Sequence, residues 1–271
     1  MRQLLLLFFV LFIFANNAYS QQTDLKLKSH AVVVFDPQEG RIIYDKNSEN
    51  IMPIASITKL MTAMVILEAQ LPFNEEIRID SADIDTLKNS RSRLKVGDRF
   101  TRRDLLRLAL MSSENRAASA LGRTYPGGTA AFVKAMNIKA LLLGMDHTHF
   151  VEPTGLSSGN VSTALDLAKM VEAAYRYDII RDDSTTDKHI VTATNRKNNL
   201  QFINTNGLVR GGNWKIDVSK TGFINEAGRC LVMQAEIKNK SVVIVLLNSL
   251  GKNTRIGDAN RVKKWMEAKK S

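Results

Sequence analysis

Two pairs of short apolar runs, one near each end of the chain, have the pattern of β-hairpins. His30 to Phe35 and Arg41 to Tyr44 are rich in β-branched residues and flank Asp36-Pro-Gln-Glu-Gly40, which is typical of a turn. Arg229 to Ile237 and Ser241 to Leu247 flank a Lys-Asn-Lys turn in the same way. Strands from both ends of the chain are therefore expected to form one antiparallel sheet.

Helical spacing dominates the middle of the chain, from about Ala82 to Tyr177. Thr101 and Asp104 form a capping signature at the start of one helix. Three further runs have apolar positions at helical spacing: Thr129 to Leu143, Thr163 to Tyr175 and Ile256 to Ala268. The pattern predicts a mixed α/β (α+β) fold, in which an antiparallel sheet is flanked by helices and joined by a helical subdomain.

The first 20 residues have the pattern of a cleaved export signal. An uninterrupted apolar run extends from Leu4 to Ala15, and small residues occupy the recognition positions of Ala18-Tyr-Ser20. A retained anchor is disfavoured because the run is shorter than the ~20 residues of a membrane-spanning helix. We expect residues 1–20 to be a signal peptide. Its removal from the 271-residue chain leaves 251 residues, 21–271, which is enough for one domain.

The net charge and the cysteine content bear on the kind of binding partner and on the possibility of a disulfide. The formal net charge is +11, and loss of Arg2 with the signal lowers it to +10. Such a charge favours anionic polymers, and for an exported protein a carboxylate-bearing cell-wall polymer is a better candidate than nucleic acid. A solvated lysine face would give the same charge. Cys230 is the only cysteine, so no internal disulfide is possible, and we expect it to be a small buried hydrophobic residue.

The segment Ser56-Ile-Thr-Lys59 pairs a hydroxyl with an amine. It follows Pro53-Ile-Ala55 and opens an apolar run with helical spacing, so Ser56 and Lys59 are expected to share one helix face. The same S-x-x-K pattern occurs at Ser92 and Ser249, but Ser92 lies in a basic stretch without a helical run behind it. Ser56 is therefore the candidate nucleophile.

A second hydroxyl and an amide stand in Ser113-Glu-Asn115. This S-x-N element lies between two apolar helical runs, so a corner between helices is expected to project both side chains. A helix N-cap is the simpler interpretation of Ser113, and both roles are compatible. Other S-x-N matches begin at Ser48, which is too close to Ser56 to form a separate wall, and at Ser158, in a Gly/Ser loop.

Lys220-Thr-Gly222 is the only K-T-G in the chain. It follows Trp214 to Val218, which alternates like a strand, and a strand edge is a natural wall for an extended peptide. In order, the three motifs supply a nucleophile, a base, a second hydroxyl with an amide, and a cation beside a hydroxyl. Those groups are what serine acyl transfer without histidine requires.

This ordered set resembles the penicillin-recognising serine acyltransferases. Pro53 to Met64, Ala109 to Ala118, Phe150 to Leu156 and Ser219 to Phe223 are similar to the low-molecular-mass penicillin-binding proteins of the D-Ala-D-Ala peptidase family. The similarity runs from about His30 to the C-terminus. It implies a β-lactamase/transpeptidase-like fold, peptidoglycan stem peptides as substrate and β-lactams as covalent inhibitors.

The resemblance also implies a role for each motif residue. Ser56 would attack the D-alanyl carbonyl while Lys59 takes its proton, which requires burial or a nearby cation such as Lys220 to lower the pKa of Lys59. Ser113, assisted by Lys220, would pass a proton to the leaving amine. Asn115 would orient the amide of the acyl side chain.

Strand residues complete the implied binding site. Thr221, in the motif that ends at Gly222, would bind the substrate carboxylate, with Lys252 as a possible second cation. The backbone N–H groups of Ser56 and Phe223 would donate to the oxyanion. The four histidines have neither nucleophile-elbow nor zinc-ligand spacing, and His147 and His149 are interpreted as a surface loop pair. We expect no metal and no cofactor.

The resemblance favours the D-alanyl-D-alanine endopeptidase type within the family. Glu114 and Phe223 fit that type, whereas carboxypeptidase relatives often carry histidine after K-T-G. Those relatives also continue into a β-rich domain and an anchoring helix, neither of which follows before Ser271. We therefore expect a periplasmic enzyme without a stable membrane anchor.

A carboxypeptidase remains the nearest alternative. A non-catalytic wall-binding or β-lactam-sensing module would not need both lysines and Ser113, and a class A β-lactamase would need a glutamate motif.

Overall fold

A computed structural model describes residues 25–268 of the chain, so the expected signal peptide lies outside the described residues. The strands are β1 (Ser29–Asp36), β2 (Arg41–Lys46), β3 (Met52–Pro53), β4 (Glu76–Arg78), β5 (Arg99–Thr101), β6 (Val161–Ser162), β7 (Lys188–Thr192), β8 (Asn199–Ile203), β9 (Lys215–Ile224), β10 (Gly228–Ile237) and β11 (Lys240–Ser249). The helices are α1 (Thr58–Glu68), α2 (Arg102–Met111), α3 (Asn115–Arg123), α4 (Gly128–Leu142), α5 (Ala164–Tyr175), α6 (Asp178–Thr185), α7 (Gly207–Arg210) and α8 (Thr254–Ala268).

Both predicted hairpins form, and they join in one sheet as expected. Five antiparallel strands lie in the order β2-β1-β11-β10-β9, because β1 pairs with β11 in the register Ala31 to Leu247. Strand β9 pairs with β10 alone, with Lys220 opposite Val232. Of the described strands in this sheet, β2 and β9 are therefore the two edges, and the K-T-G motif lies on the β9 edge.

Alternation along the strands gives the sheet two buried faces. Val33 and Val245 face a core shared with α1 and α5, whereas Val32 and Ile244 face a second core that includes Val262 of α8. Neighbouring residues of a strand point to opposite faces, so continuous runs of valine and leucine are what a sheet covered on both sides needs. This explains why the apolar runs of β1 and β11 lack polar alternation.

Helix α1 runs through the larger core. Its apolar residues, among them Leu60, Met61 and Met64, are fully buried, and residues on every side of the helix are buried, as is typical of a central helix. Lys59 is carried into the interior by its position in this helix and has no exposed surface. The sequence prediction of an amphipathic helix is correct in position but underestimates its burial.

The helical subdomain is built mainly from α2, α3 and α4. Thr101 caps α2 as predicted, because its side chain accepts a hydrogen bond from the backbone N–H of Asp104. The predicted helices near residues 129–143, 163–175 and 256–268 are confirmed within one or two residues at each end. Cys230 is fully buried in the sheet, as expected, and burial raises the pKa of its thiol to about 11.

Several elements between residues 178 and 210 are not predicted from the sequence. They are α6, the β7–β8 hairpin and α7. A buried carboxylate, Asp183 of α6, accepts hydrogen bonds from Arg103 and Arg107 of α2 and ties the two helices together. No helix among residues 25–268 is long and apolar enough to span a bilayer.

Candidate active site

The Ser56–Lys59 pair forms as the sequence predicts. A 3₁₀ turn over Ala55–Ile57 leads into α1, and Ala55 adopts a left-handed backbone conformation, with φ of 49°, which turns the chain sharply before the serine. The Lys59 amine donates to Ser56 Oγ at 3.0 Å and to Asn115 Oδ1 at 2.7 Å. It also donates to the carbonyl oxygen of Thr154 at 2.6 Å. Two of the three motifs therefore meet at one amine.

Burial sets the ionisation of this amine. Desolvation lowers the pKa of Lys59 from 10.5 to about 8, and the negative charges of Glu152, Glu114 and Asp85 partly oppose the shift. A lysine with a pKa near 8 is neutral in an appreciable fraction of molecules at neutral pH, so it is able to accept a proton. Burial is the largest cause of the lowered pKa of Lys59, and the repulsion between Lys59 and Lys220 contributes to the lowered pKa of Lys220.

Ser113 and Asn115 lie in the predicted corner between α2 and α3. Ser113 has a φ of 59°, a strained conformation for a residue other than glycine, and it stands between the C-cap Ser112 and the N-cap Glu114. Glu114, not Ser113, is therefore the N-cap of α3. Asn115 is held on its other side as well, because its amide nitrogen donates to Ser90 Oγ at 2.8 Å.

Strand β9 supplies the third motif. Lys220 is almost fully buried, and desolvation together with the charges of Lys59 and Arg255 lowers its pKa well below 10.5. The Thr221 hydroxyl donates to the hydroxyl of Thr205 at 2.6 Å, and the Thr205 N–H donates to the carbonyl of Met111 at the end of α2. Thr205 therefore links the strand to the helical corner, a role that the sequence patterns do not reveal.

Gly222 lets the strand lie directly on the nucleophile turn. A Cβ at Gly222 would stand 3.0 Å from the Cβ of Ala55 and 3.1 Å from the backbone nitrogen of Ser56. Phe223 follows with half of its surface exposed, and the guanidinium of Arg229 lies 4.5 Å from the centre of its ring. The third motif therefore meets the first through backbone contact.

The cation that contacts the Gly222 carbonyl is not the one expected from the sequence. Arg255 of α8 donates to the carbonyls of Gly222 and Cys230 at 2.9 and 3.1 Å. Lys252 is exposed on the turn before α8. The role of Lys252 stays a prediction, but Arg255 is the better placed of the two. Its signal in the sequence is weak, because Arg255 is 33 residues from Gly222.

The loop from Val151 to Asn160, here called the 151–160 loop, forms the back of the site. Its carbonyl at Thr154 accepts from Lys59, and its carbonyl at Pro153 accepts from the Thr62 hydroxyl at 2.7 Å. Glu152 lies in this loop, and its carboxylate accepts five hydrogen bonds there. His147 and His149, just before the loop, are exposed as expected.

Gly155 permits the close approach of this loop to Ser56, and its replacement is expected to be costly. Its φ is +80°, and an added Cβ would stand 2.0 Å from the Ala55 carbonyl oxygen. We expect Gly155→Ala to lower the free energy of unfolding by about 3 kcal/mol or more and to slow acylation by penicillin. Gly144→Ala is the matched control, because Gly144 has a φ of +66° with open space around it. Strain alone then costs about 1–2 kcal/mol.

Chemical denaturation and penicillin labelling of both variants measure the difference. Equal losses in the two variants would show that only backbone strain matters at Gly155. The contact with Ala55 would then have no role in shaping the turn.

Among the described serines of the motif matches, only Ser56 accepts a hydrogen bond from the Lys59 amine, and the match at Ser158 lies in the 151–160 loop. Ser249 is buried, and its hydroxyl contacts that of Ser29 at 2.7 Å, in a network around Asp258. Ser48 donates to Asp45, and the Ser92 oxygen accepts from the N–H of Leu94. These hydroxyls support turns and strand ends. Ser92 is also a side-chain hydrogen-bond partner of Glu114, one of the carboxylates that act on Lys59.

Fold and site together define a serine acyl-transfer enzyme with a lysine base candidate. A family model described as D-alanyl-D-alanine carboxypeptidase, peptidase family S11, matches residues 16–251. The chain therefore belongs to the S11 family of serine peptidases, within the low-molecular-mass penicillin-binding proteins. The resemblance inferred from the motifs is confirmed.

Curated relatives cover nearly the whole chain. It is 47% identical over 245 residues to a D-alanyl-D-alanine endopeptidase of Escherichia coli K12, covering 90% of this chain and 79% of the relative. It is also 47% identical over 242 residues to a D-alanyl-D-alanine endopeptidase of Pseudomonas aeruginosa PAO1, covering 89% and 78%. A Bacillus subtilis D-alanyl-D-alanine carboxypeptidase is 30% identical, covering 90% of this chain and 65% of the relative.

Solved structures agree on the fold. The DD-transpeptidase of Streptomyces K15 matches with a TM-score of 0.81 and 29% identity, covering 88% of this chain and 97% of the other. Penicillin-binding protein D2 of Listeria monocytogenes, solved in its ampicillin-bound form, matches with a TM-score of 0.78 and 30% identity, covering 90% and 98%. The expected transpeptidase-like fold is confirmed.

Proposed function

We propose that this serine peptidase is a DD-endopeptidase that hydrolyses D-alanyl cross-links between peptidoglycan stem peptides through an acyl-enzyme. The observation that carries the proposal is the buried Lys59 amine, which donates to both Ser56 Oγ and Asn115 Oδ1. A base within hydrogen-bond distance of a hydroxyl is the arrangement that activates a serine nucleophile. The same serine would be acylated by β-lactams.

Acylation uses the face of α1 and the edge of the sheet. Neutral Lys59 takes the proton of Ser56 as its oxygen bonds to the D-alanyl carbonyl carbon. The backbone N–H groups of Ser56 and Phe223 donate to the developing oxyanion, an arrangement supported by the contact between Gly222 and the Ser56 turn. An extended peptide is able to pair with β9, because among the described strands β9 has only β10 as a partner in the sheet.

The leaving group departs on the side of Ser113 and Lys220. Ser113, assisted by Lys220, passes a proton to the amine of the leaving D-residue and regains one from protonated Lys59, which thereby becomes neutral again. Thr221 binds the carboxylate of that residue. Arg255, whose guanidinium contacts the Gly222 carbonyl, adds positive charge behind the strand. Water then attacks the acyl-enzyme, with Lys59 returning as the base, and releases the acyl group.

Two observations favour an endopeptidase over a carboxypeptidase. The curated relatives at 47% identity are both D-alanyl-D-alanine endopeptidases. Phe223 stands half exposed directly after K-T-G, beside Arg229, and offers an apolar ring with an adjacent cation to a bulky leaving strand. The alternative, a carboxypeptidase, is favoured by the family description and by the Bacillus relative.

Time courses on two purified substrates separate these activities. We expect a cross-linked muropeptide dimer to be converted to monomers faster than D-alanine is released from monomeric pentapeptide, because the leaving-group side near Phe223 accommodates a whole stem peptide. Ser56→Ala serves as the inactive control. Rapid alanine release with intact dimer would establish the carboxypeptidase instead and leave the acyl-enzyme mechanism in place.

Location and domain boundaries follow from the same proposal. The relatives are bacterial cell-wall enzymes, and residues 1–20 have the pattern of an export signal, so we place the mature domain, residues 21–271, in the periplasm. Its positive charge suits a carboxylate-bearing wall polymer. The acyl-enzyme route needs neither a metal nor a cofactor.

A further inference from the structure

Glu152 is the most heavily hydrogen-bonded carboxylate beside the proposed catalytic groups. Its Oε2 accepts two hydrogen bonds of 2.6 Å, and its Oε1 accepts three, of 2.6, 2.9 and 3.3 Å. The donors all lie in the 151–160 loop: the N–H groups of Thr154, Gly155 and Ser157, the Thr154 hydroxyl and the Asn160 side-chain amide. Hydrogen bonds to an ionised carboxylate are stronger than neutral ones, so this carboxylate fixes the loop.

The loop touches both reacting groups. Thr154 presents its carbonyl oxygen to the Lys59 amine at 2.6 Å. Gly155 lies so close to Ala55 and Ser56 that a Cβ there would stand 2.8 Å from the Ser56 nitrogen. A displacement of the loop would therefore move both the Thr154 carbonyl, which accepts from the Lys59 amine, and the Gly155 backbone, which packs against Ser56.

Asn160 fastens the other end of the loop to α1. Its side-chain amide nitrogen donates to the Thr58 hydroxyl at 3.1 Å, and its backbone carbonyl accepts from the N–H of Ile54 at 3.1 Å. The same amide also donates to Glu152 Oε1. The carboxylate is thus the centre of a connection between the loop and the first turn of the nucleophile helix.

Four charged groups from different elements face Lys59. Glu152 comes from the loop, Glu114 from the N-cap of α3, Asp85 from the segment before β5, and Lys220 from β9. Among the three carboxylates Glu152 has the largest stabilising effect on the protonated amine, and burial raises the pKa of Glu114. Glu152 therefore influences Lys59 by its charge as well as by its hydrogen bonds.

We propose that Glu152 is a positioning residue for acylation: through its hydrogen bonds in the 151–160 loop it fixes the Thr154 carbonyl against the Lys59 amine. The proposal rests on the proposed role of Lys59 as the base. Glu152 does not touch the substrate in this scheme. It acts through the loop and through its charge.

Two substitutions separate the effect of the Glu152 charge from the effect of its side-chain length. Glu152→Gln removes the charge and leaves a single acceptor oxygen, whereas Glu152→Asp keeps the charge but shortens the side chain. The rate constant for acylation by a fluorescent penicillin, measured from pH 5.5 to 10, is the readout. Glu49→Gln is the matched control, because Glu49 is an exposed carboxylate in the segment between β2 and β3.

We expect Glu152→Gln to lower the plateau rate by about tenfold or more, as a small misplacement of reacting groups does. The acid limb of the pH–rate profile is the range in which the acylation rate rises with pH. For Glu152→Gln this limb should move to lower pH by about half a unit or more, since loss of a negative charge makes Lys59 easier to deprotonate. Glu152→Asp should lower the plateau rate while its limb stays in place. Glu49→Gln should change neither quantity.

An unchanged plateau rate in both Glu152 variants would overturn the positioning role, and an unmoved limb in a folded Glu152→Gln would overturn the charge role. Thermal unfolding shows whether each variant is folded. If Glu152→Gln does not fold, a Glu152→Asp variant with the wild-type plateau rate still overturns the proposal. A Lys59→Arg variant that acylates normally would instead refute the proposed base, whatever the Glu152 variants do.

Discussion

Replacement of Ser56 by alanine is expected to abolish covalent labelling by penicillin while the protein stays folded. In the proposed mechanism the label is an acyl bond to Ser56 Oγ, and the structure places that oxygen 3.0 Å from the Lys59 amine. Folding should change little, because the side chain is small and only partly buried. Intact-protein mass spectrometry after penicillin treatment measures the adduct, and peptide mapping of the wild type locates it.

Ser92→Ala is the matched control for this experiment. Ser92 begins a second S-x-x-K match, but its oxygen accepts a hydrogen bond from the N–H of Leu94 in an irregular segment. The control should keep the full label. A label that persists in Ser56→Ala, or that maps to Ser92 or Ser249, would refute the assignment of the nucleophile.

The parts of the site that depend on local spacing could be predicted from the sequence. Ser56 and Lys59 are three residues apart at the start of one helix, so local geometry alone brings their side chains together. The corner that carries Ser113 and Asn115 also follows from two flanking apolar runs. The hairpins are equally local, since each requires only two runs and a turn.

Contacts between distant segments could not be predicted. The amine of Lys59 meets Asn115 and Thr154 only because α1, α3 and the 151–160 loop pack together. The contact of Arg255 with Gly222 depends in the same way on how α8 lies against β9 and β10. Lys252 is expected from its resemblance to a cationic position of the family, but only the packing decides which cation contacts the strand.

Glu152 shows a different limit. Its partners are close in sequence, yet the residue stands in a Glu-Pro-Thr-Gly segment that has the composition of an ordinary turn. Its importance comes from five donors that converge on one carboxylate. The periodicity of apolar residues in the sequence gives no indication of such convergence. The same holds for α6 and the β7–β8 hairpin, which have short polar-rich runs that give weak patterns.

Replacement of Lys59 by arginine is expected to slow penicillin acylation by about 10²–10⁴-fold, the usual effect of losing a general base. Arginine keeps the positive charge but remains protonated at every accessible pH, so it is unable to take the proton of Ser56. Lys59→Met tests the same function without charge. It leaves Asn115 Oδ1 and the Thr154 carbonyl without their donor, so we also expect a loss of about 1–3 kcal/mol in stability.

The pH dependence of the acylation rate is the most specific test of this prediction. Burial lowers the pKa of Lys59 to about 8, and the neutral amine is the active form, so wild-type acylation should rise with pH through about 8 and then level off. Lys59→Arg should lose this limb as well as the rate, whereas Lys139→Arg, at a surface pair with Glu68, should keep both. Stopped-flow acylation with a fluorescent penicillin, on variants whose thermal unfolding shows them folded, measures the rate and the limb. A Lys59→Arg enzyme that acylates at the wild-type rate, or that keeps a limb near pH 8, would move the base to another group, and Lys220 would be the next candidate because it is the other buried amine of the site.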